Sequence, residues 1–237
     1  MEEKKAAILW ILAGVLIAVL PSHTQSLQQG ISVQLPVTNH ASAEPEADQK
    51  DAPIVTITED GGAHLGIKPI DSAILKESMT ENFSSSNHAG WKLYIKADAR
   101  APYQSLARVL FAAHDAGVET AILLTQQNES GAGRTPVPPK GLEIVISGPK
   151  RAMNSPRVQA TRVQLLISAQ QQPWLKINNE DVPWANLQEK LTRTLQNNDE
   201  RPVLVMADGR LPFAPVAQVI DACRAAGAKV VLGTTQL

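Results

Sequence analysis

Cysteine, net charge and the common catalytic patterns are nearly or wholly missing from this sequence. The 237 residues include one cysteine, Cys223, which excludes an intramolecular disulfide. The 22 basic and 23 acidic residues leave a net charge of −1, so there is no electrostatic basis for binding nucleic acid. No H-E-x-x-H, C-x-x-C or Walker pattern occurs. We therefore expect no enzyme, no cofactor and no metal site.

The chain contains an internal sequence repeat. Residues 96–125 read KADARAPYQSLARVLFAAHDAGVETAILLT, and residues 206–235 read MADGRLPFAPVAQVIDACRAAGAKVVLGTT. The two align without a gap, and this agreement predicts one duplicated module of about 75–95 residues. The shared positions that we single out are Asp98/Asp208, Arg100/Arg210, Pro102/Pro212, Gly117/Gly227 and the aromatic pair Tyr103/Phe213.

Each copy is predicted to run strand, strand, helix, strand, helix, strand. In copy one the strands 54–58 and 64–68 flank the turn residues 59–62, and a helix follows over 71–80. A strand over 92–97 leads to Pro102, which suits the first turn of a helix. Gly117 suits the left-handed position after that helix. With helices at 184–196 and 212–226 in copy two, the fold class expected is an α+β two-layer sandwich built from a tandem repeat.

The pattern strand-A-D-x-R-x-P-[YF]-helix-A-x-x-A-G-strand resembles the periplasmic domain of the ExbD/TolR biopolymer transport family. Residues 66–70, GIKPI, are similar to that family's N-G-K-P-V element. The resemblance covers 53–125 and 162–237. It implies a non-enzymatic subunit, expected as a homodimer, that assembles with a TolQ/ExbB-like channel subunit. A TonB-like protein, another envelope protein or peptidoglycan are the further partners it implies.

The N-terminus predicts a membrane anchor. Residues 6–20 are an uncharged apolar run, Lys4 and Lys5 precede it, and no further Lys or Arg follows until Lys50. This asymmetry places the N-terminus in the cytoplasm and the modules in the periplasm, anchored to the inner membrane. An uncleaved anchor is favoured over a cleaved signal peptide, which remains the alternative. Because the run holds no acidic residue, unlike the family's helix, it cannot itself carry protons.

These features divide the chain into six segments. They are a stub over 1–5, an anchor over 6–21, a flexible tether over 22–52, module 1 over 53–147, a linker over 148–161 and module 2 over 162–237. Residues 142–147 are predicted to form a strand. That strand either extends the edge of copy one or is lent to copy two.

Two interpretations stay open at the notable side chains. Asp98 and Asp208 lie where a strand turns into a helix, a common place for catalytic groups. A short carboxylate there also accepts turn N–H groups or pairs with Arg100 and Arg210, and we favour this structural reading. Trp174 and Trp184 are expected to pack in the core or a hairpin, with a sugar or peptide contact as the alternative. The function expected is therefore envelope transport or energy coupling. The alternative is a tethered module that binds an envelope protein or peptidoglycan without proton coupling.

Overall fold

All the strands that are described lie in one continuous mixed sheet. The computed structural model describes residues 31–50, 52–71, 74–83, 92–127, 138–146, 160–168, 170, 172–196 and 202–234. The strands are numbered in chain order, and they lie across the sheet in the order β11 (Glu180–Asp181), β10 (Pro173–Ile177), β9 (Thr161–Ile167), β12 (Val203–Ala207), β13 (Val230–Thr234), β8 (Lys140–Ile146), β7 (Thr120–Gln127), β6 (Leu93–Ala97), β3 (Ile54–Ile57), β4 (Ala63–Leu65) and β5 (Lys68–Ile70). Module 1 forms one half of this sheet and module 2 the other, so the chain is α+β with the two modules sharing one sheet.

Both modules have the same order of elements, with one strand more than the sequence predicts. Three strands precede the first helix in each module, because a second tight turn follows the first hairpin. Module 1 comprises β3 (Ile54–Ile57), β4 (Ala63–Leu65), β5 (Lys68–Ile70), α1 (Leu75–Phe83), β6 (Leu93–Ala97), α2 (Tyr103–Asp115) and β7 (Thr120–Gln127). Module 2 comprises β9 (Thr161–Ile167), β10 (Pro173–Ile177), β11 (Glu180–Asp181), α3 (Leu187–Leu195), β12 (Val203–Ala207), α4 (Phe213–Ala225) and β13 (Val230–Thr234).

The predicted extra strand joins the modules. Strand β8 (Lys140–Ile146) pairs antiparallel with β7 and parallel with β13. Both alternatives predicted from the sequence are therefore correct, because β8 pairs with the last strand of copy one and with the last strand of copy two. Its alternate residues Leu142, Ile144 and Ile146 are buried in the core. Because β7 and β13 run in opposite directions on either side of it, the two modules are related by an approximate two-fold rotation.

The four described α-helices pack on one face of the sheet. Apolar residues recur along each helix, for example Leu187, Leu191 and Leu195 in α3, and they are buried against the strands. A single apolar cluster joins all four helices to the helix-facing side chains of both modules. This helix layer over a sheet is what the repeated pattern of apolar residues predicts.

Residues 31–50 form a segment that we call the strap, and the structure corrects our expectation of a flexible tether there. Strands β1 (Val37–Thr38) and β2 (Ser42–Ala43) pair with β7 and β8, and a 3₁₀ turn follows at Pro45–Asp48. Ala47 packs on Tyr94 and Ile122 on the face opposite the helices. Many of the strap's contacts are made by its backbone N–H and carbonyl groups, so the sequence shows no periodicity to reveal it.

The alignment between the copies slips by one residue after Gly117 and Gly227. Both glycines have positive φ, +92° and +79°, as a left-handed position after a helix requires. Beyond them, Ala121 and Leu123 face the helices in β7, whereas Val230 and Leu232 do so in β13. A one-residue shift turns every side chain of a strand to the other face, so the ungapped match does not extend through the last strand.

Two expectations fall on residues outside the described ranges. The predicted anchor over 6–21 and most of the predicted linker over 148–161 are both among them. Within the ranges that are described, no helix combines the length and the apolar character needed to cross a membrane.

Candidate functional site

The repeated aspartate and arginine form the same turn in both modules. Asp98 accepts the backbone N–H of Arg100 at 3.0 Å, and the guanidinium of Arg100 donates to both of its carboxylate oxygens at 3.0 and 3.1 Å. Asp208 and Arg210 repeat these contacts at 3.0, 3.0 and 2.8 Å. We call each of these a motif turn, residues 98–102 and 208–212. Each carboxylate is thus used to shape the chain as it leaves a strand and enters a helix.

The two carboxylates differ in their surroundings. Asp98 is 2% exposed and also accepts the backbone N–H of Gln34 in the strap at 3.0 Å. Burial alone would raise the pKa of Asp98, but its hydrogen bonds from Arg100 and Gln34 outweigh that effect and hold the pKa below its ordinary value. At Asp208 the hydrogen bond from the Arg210 side chain is the largest influence, and it lowers the pKa. Both aspartates are therefore ionised at neutral pH.

The motif turns of the two modules bind each other. The N–H groups of Tyr103 and Gln104, at the start of α2, donate to the carbonyls of Leu211 and Gly209 at 2.8 and 2.9 Å. In return, Phe213 and Ala214, at the start of α4, donate to Ala101 and Ala99 at 2.9 and 2.8 Å. The first N–H groups of a helix have no partner within the helix. Each module thus supplies the carbonyls that satisfy the other module's helix start.

Side chains make this reciprocal contact asymmetric. Gly209 lies so close to Gln104 that a Cβ added to the glycine would stand 2.9 Å from the Cβ of Gln104. At the equivalent place on the other side the pair is Ala99 and Ala214. The hydroxyl of Tyr103, fully buried, donates to the carbonyl of Gly233 in β13 at 2.8 Å. Module 2 has Phe213 at the position of Tyr103 and so cannot repeat that bond.

A second contact that the sequence analysis missed ties the strap to module 2. The carboxylate of Asp221, on α4, accepts the backbone N–H groups of Asn39 and His40 at 3.1 and 2.8 Å. It also lies 3.1 Å from Nδ1 of His40. Copy one has Phe111 at the position of Asp221, and this acidic residue on an otherwise apolar helix face was the available signal.

The described part of the site offers no catalytic grouping. Neither motif aspartate has a base, a nucleophile or a metal ligand among the contacts above, and no cluster of three metal-binding side chains occurs within the described ranges. Cys223 is fully buried, and burial raises the pKa of its thiol to about 12, so the thiol is not a nucleophile at neutral pH. The geometry of the motif turns is that of a structural joint.

An aromatic groove lies at the far edge of module 2. It encloses about 540 Å³ and is lined by Trp174, Trp184, Pro173, Pro183 and Val182, with Ser168, Gln172 and Asp181 among its polar residues. The Nε1–H of Trp184 donates to the carbonyl of Pro173 at 3.2 Å, which fixes that ring. Trp174 is 40% exposed, and the ammonium of Lys176 lies 4.5 Å from its ring centre. Trp184 thus fits the packing interpretation, while the ring of Trp174 is partly exposed, with Lys176 against one of its faces.

The fold and the paired turns define a class of protein: an α+β body of two like modules, joined through their motif turns. The family model described as Biopolymer transport protein ExbD/TolR matches residues 8–128 and, separately, residues 135–236. The chain therefore belongs to the ExbD/TolR family, whose members are in general inner-membrane proteins that act in transport without enzymatic activity. The first match begins inside the predicted anchor, and the second includes β8. No curated protein matches the chain.

Proposed function

We propose that this protein is a membrane-anchored periplasmic component of an ExbD/TolR-like envelope transport system. One observation carries the proposal: the family model matches the chain twice, and the motif turns of the two matched regions bind each other. A single chain then presents two joined modules on one N-terminal anchor, over residues 6–21. ExbD/TolR proteins generally work with ExbB/TolQ-like partners, so the proposed partner in the membrane is a channel subunit of that type.

The sequence of the anchor limits how energy could be coupled. Residues 6–20 contain no acidic, basic or histidine side chain, and an ionisable group is what a proton path through this helix would need. In the proposed complex the proton path uses groups on the channel subunit, or no such path exists. The anchor then binds the channel subunit and holds the modules in the periplasm beside it, without carrying protons itself.

Replacing residues 6–20 with an unrelated uncharged apolar helix tests the partner in the membrane. The expected result is that the variant inserts and its modules fold, but that it no longer co-purifies with a channel subunit from native membranes. The matched control is a helix of the same amino-acid composition in which the order of residues 6–20 is scrambled but the side chains of one helix face are retained. If the unrelated helix co-purifies the channel subunit as well as the native chain does, the modules make the contact and the anchor is a passive tether. If the native chain itself co-purifies no channel subunit, the channel-subunit proposal is wrong.

The aromatic groove favours a second candidate function, a tethered module that binds peptidoglycan or an envelope protein. The partly exposed ring of Trp174 lines the groove together with Gln172 and Asp181, and an aromatic surface combined with polar groups suits a sugar. Trp174→Ala should abolish sedimentation of the protein with purified peptidoglycan. The control is Ile67→Ala, which removes a side chain 79% exposed on module 1. Equal sedimentation of both variants and the native protein would show that the groove does not bind peptidoglycan.

A further inference from the structure

Three polar side chains, two of them buried and one half-buried, form a row on the face of module 1 that points away from the helices. The strand registers place Thr56 beside His64 on one side and beside Lys96 on the other. Thr56 is 1% exposed and Lys96 is 5% exposed. The Oγ1 of Thr56 and the Nδ1 of His64 are both buried, and neither has a hydrogen-bond partner. We call these three residues the polar row.

The ammonium group of Lys96 has an oxygen acceptor but no counterion within the described residues. Its Nζ donates to the backbone carbonyl of Ile31, at the start of the strap, over a long 3.3 Å. The strap carboxylates Glu44 and Glu46 are bound instead to Lys92 and to the hydroxyl of Tyr94, at 3.2 and 3.3 Å. A buried charge without a partner is costly, and a buried hydroxyl without a partner adds to that cost.

Other carboxylates are also committed or too far along the chain. Asp98, two residues after Lys96, is held by Arg100 and by the strap N–H of Gln34. The chain has no acidic residue between Glu3 and Glu44, so the residues just before Ile31 cannot supply a counterion either. Among the described residues, Lys96 therefore has no carboxylate partner, and one carried by another molecule would fill this need.

Module 2 indicates that the fold does not require this lysine. Met206 occupies the position of Lys96, two residues before the motif aspartate, and it pairs with Gln164 where Lys96 pairs with Thr56. The third residue of that row, Lys176, has its own carboxylate partner in Asp181 at 3.4 Å. An apolar side chain therefore serves the same strand position equally well, and the lysine in module 1 calls for a different explanation.

We propose that the polar row is a binding site for a carboxylate group, which takes the place that the Ile31 carbonyl now holds. The ammonium of Lys96 supplies the opposite charge, and the hydroxyl of Thr56 and the imidazole of His64 can each donate a hydrogen bond. The ligand is a carboxylate carried by a partner, either an acidic side chain or a chain terminus. Binding it releases the strap from Lys96 at residue 31, so occupancy of the site and attachment of the strap's first residue exclude each other.

Acetate is the probe for this site, used with the full-length protein and compared with chloride at equal ionic strength. At an acetate concentration ten times its dissociation constant, the unfolding equilibrium constant should fall about tenfold. Lys96→Met installs the residue that module 2 carries and should remove the response. Lys76→Met is the matched control, since it removes the same charge from a side chain that is 61% exposed, and it should respond as the native protein does.

Thr56→Val separates a binding role from a structural one. The hydroxyl has no partner in the free protein, so its loss should leave stability unchanged or raise it, yet it should weaken acetate binding. If Lys96→Met responds to acetate like the native protein, or if the native protein responds no more than it does to chloride, the proposal is wrong. A Thr56→Val variant with native acetate affinity would overturn the three-residue row as the site.

The test needs no channel subunit, so its failure and that of the proposed function are distinguishable. Peptides ending in an acidic side chain or in a free carboxylate, compared with their amides, then identify the source of the ligand.

Discussion

Gly209→Ala tests whether the motif turns hold the modules together. The added Cβ would lie 2.9 Å from the Cβ of Gln104, well inside the 3.5–4.0 Å or so at which carbon atoms attract. Rotating the Gln104 side chain cannot relieve this contact, because the position of a Cβ is fixed by its backbone. The start of α2 must move instead, and it carries the hydrogen bonds from Tyr103 and Gln104 to module 2.

Overpacking of this kind typically costs about 1–3 kcal/mol. We expect about 1–2 kcal/mol for Gly209→Ala, because the equivalent pair Ala99 and Ala214 shows that two Cβ atoms can be accommodated at such a contact. Gln104→Gly removes the opposing Cβ at a cost of up to about 1 kcal/mol for glycine in a helix. The double variant should therefore be no less stable than Gln104→Gly alone.

The assay is denaturant unfolding of the full-length protein, analysed as a double-mutant cycle. Gly233→Ala is the control, because a Cβ there would meet its neighbours at 3.7 and 3.8 Å, an ordinary contact. It should change the free energy of unfolding by less than Gly209→Ala does. The reasoning is refuted if Gly209→Ala unfolds at the native midpoint, or if its cost simply adds to that of Gln104→Gly.

Three further predictions concern the same joint. Tyr103→Phe, which copies module 2, should cost about 1–2 kcal/mol in unfolding free energy because the Gly233 carbonyl loses its donor; a native midpoint would contradict this. Asp98→Ala should cost about 2 kcal/mol and Asp208→Ala about 1, since only Asp98 is fully buried and also binds the strap; equal costs would show that the strap contact adds nothing. The pKa values of both carboxylates lie below the ordinary 3.8, so their contribution is present above pH 4 or so and is lost as the pH falls through the lowered values. Acid titration of Asp98→Ala should therefore show a shallower loss of stability below about pH 4 than the native protein.

The sequence was sufficient to place the features that depend on side-chain type. Pro102 and Pro212 precede their helices, and Gly117 and Gly227 have the positive φ expected after them. These positions follow from the ring of proline and from the absence of a Cβ in glycine, and both properties are known from the residue type alone.

The strap and the pairing of the motif turns were not predictable in the same way. Both depend on backbone N–H and carbonyl groups, which nearly every residue carries, so composition and periodicity do not mark them. Gly209, standing where copy one has Ala99, was the one visible hint of a close approach. The extra strands β5 and β11 were missed because they span only three and two residues, too few for an alternating pattern.

The asymmetry of the joint bears on why two modules share one chain. In a homodimer every residue occurs twice about the symmetry axis. The two equivalent contacts would therefore have the same pair of residues, and a difference between them could not arise. Here Gln104 faces Gly209 while Ala99 faces Ala214, and Tyr103 makes a bond that Phe213 cannot. Because the turns already pair within one chain, a second chain is not needed for this contact. The homodimer expected from the sequence, if it forms, must use another surface.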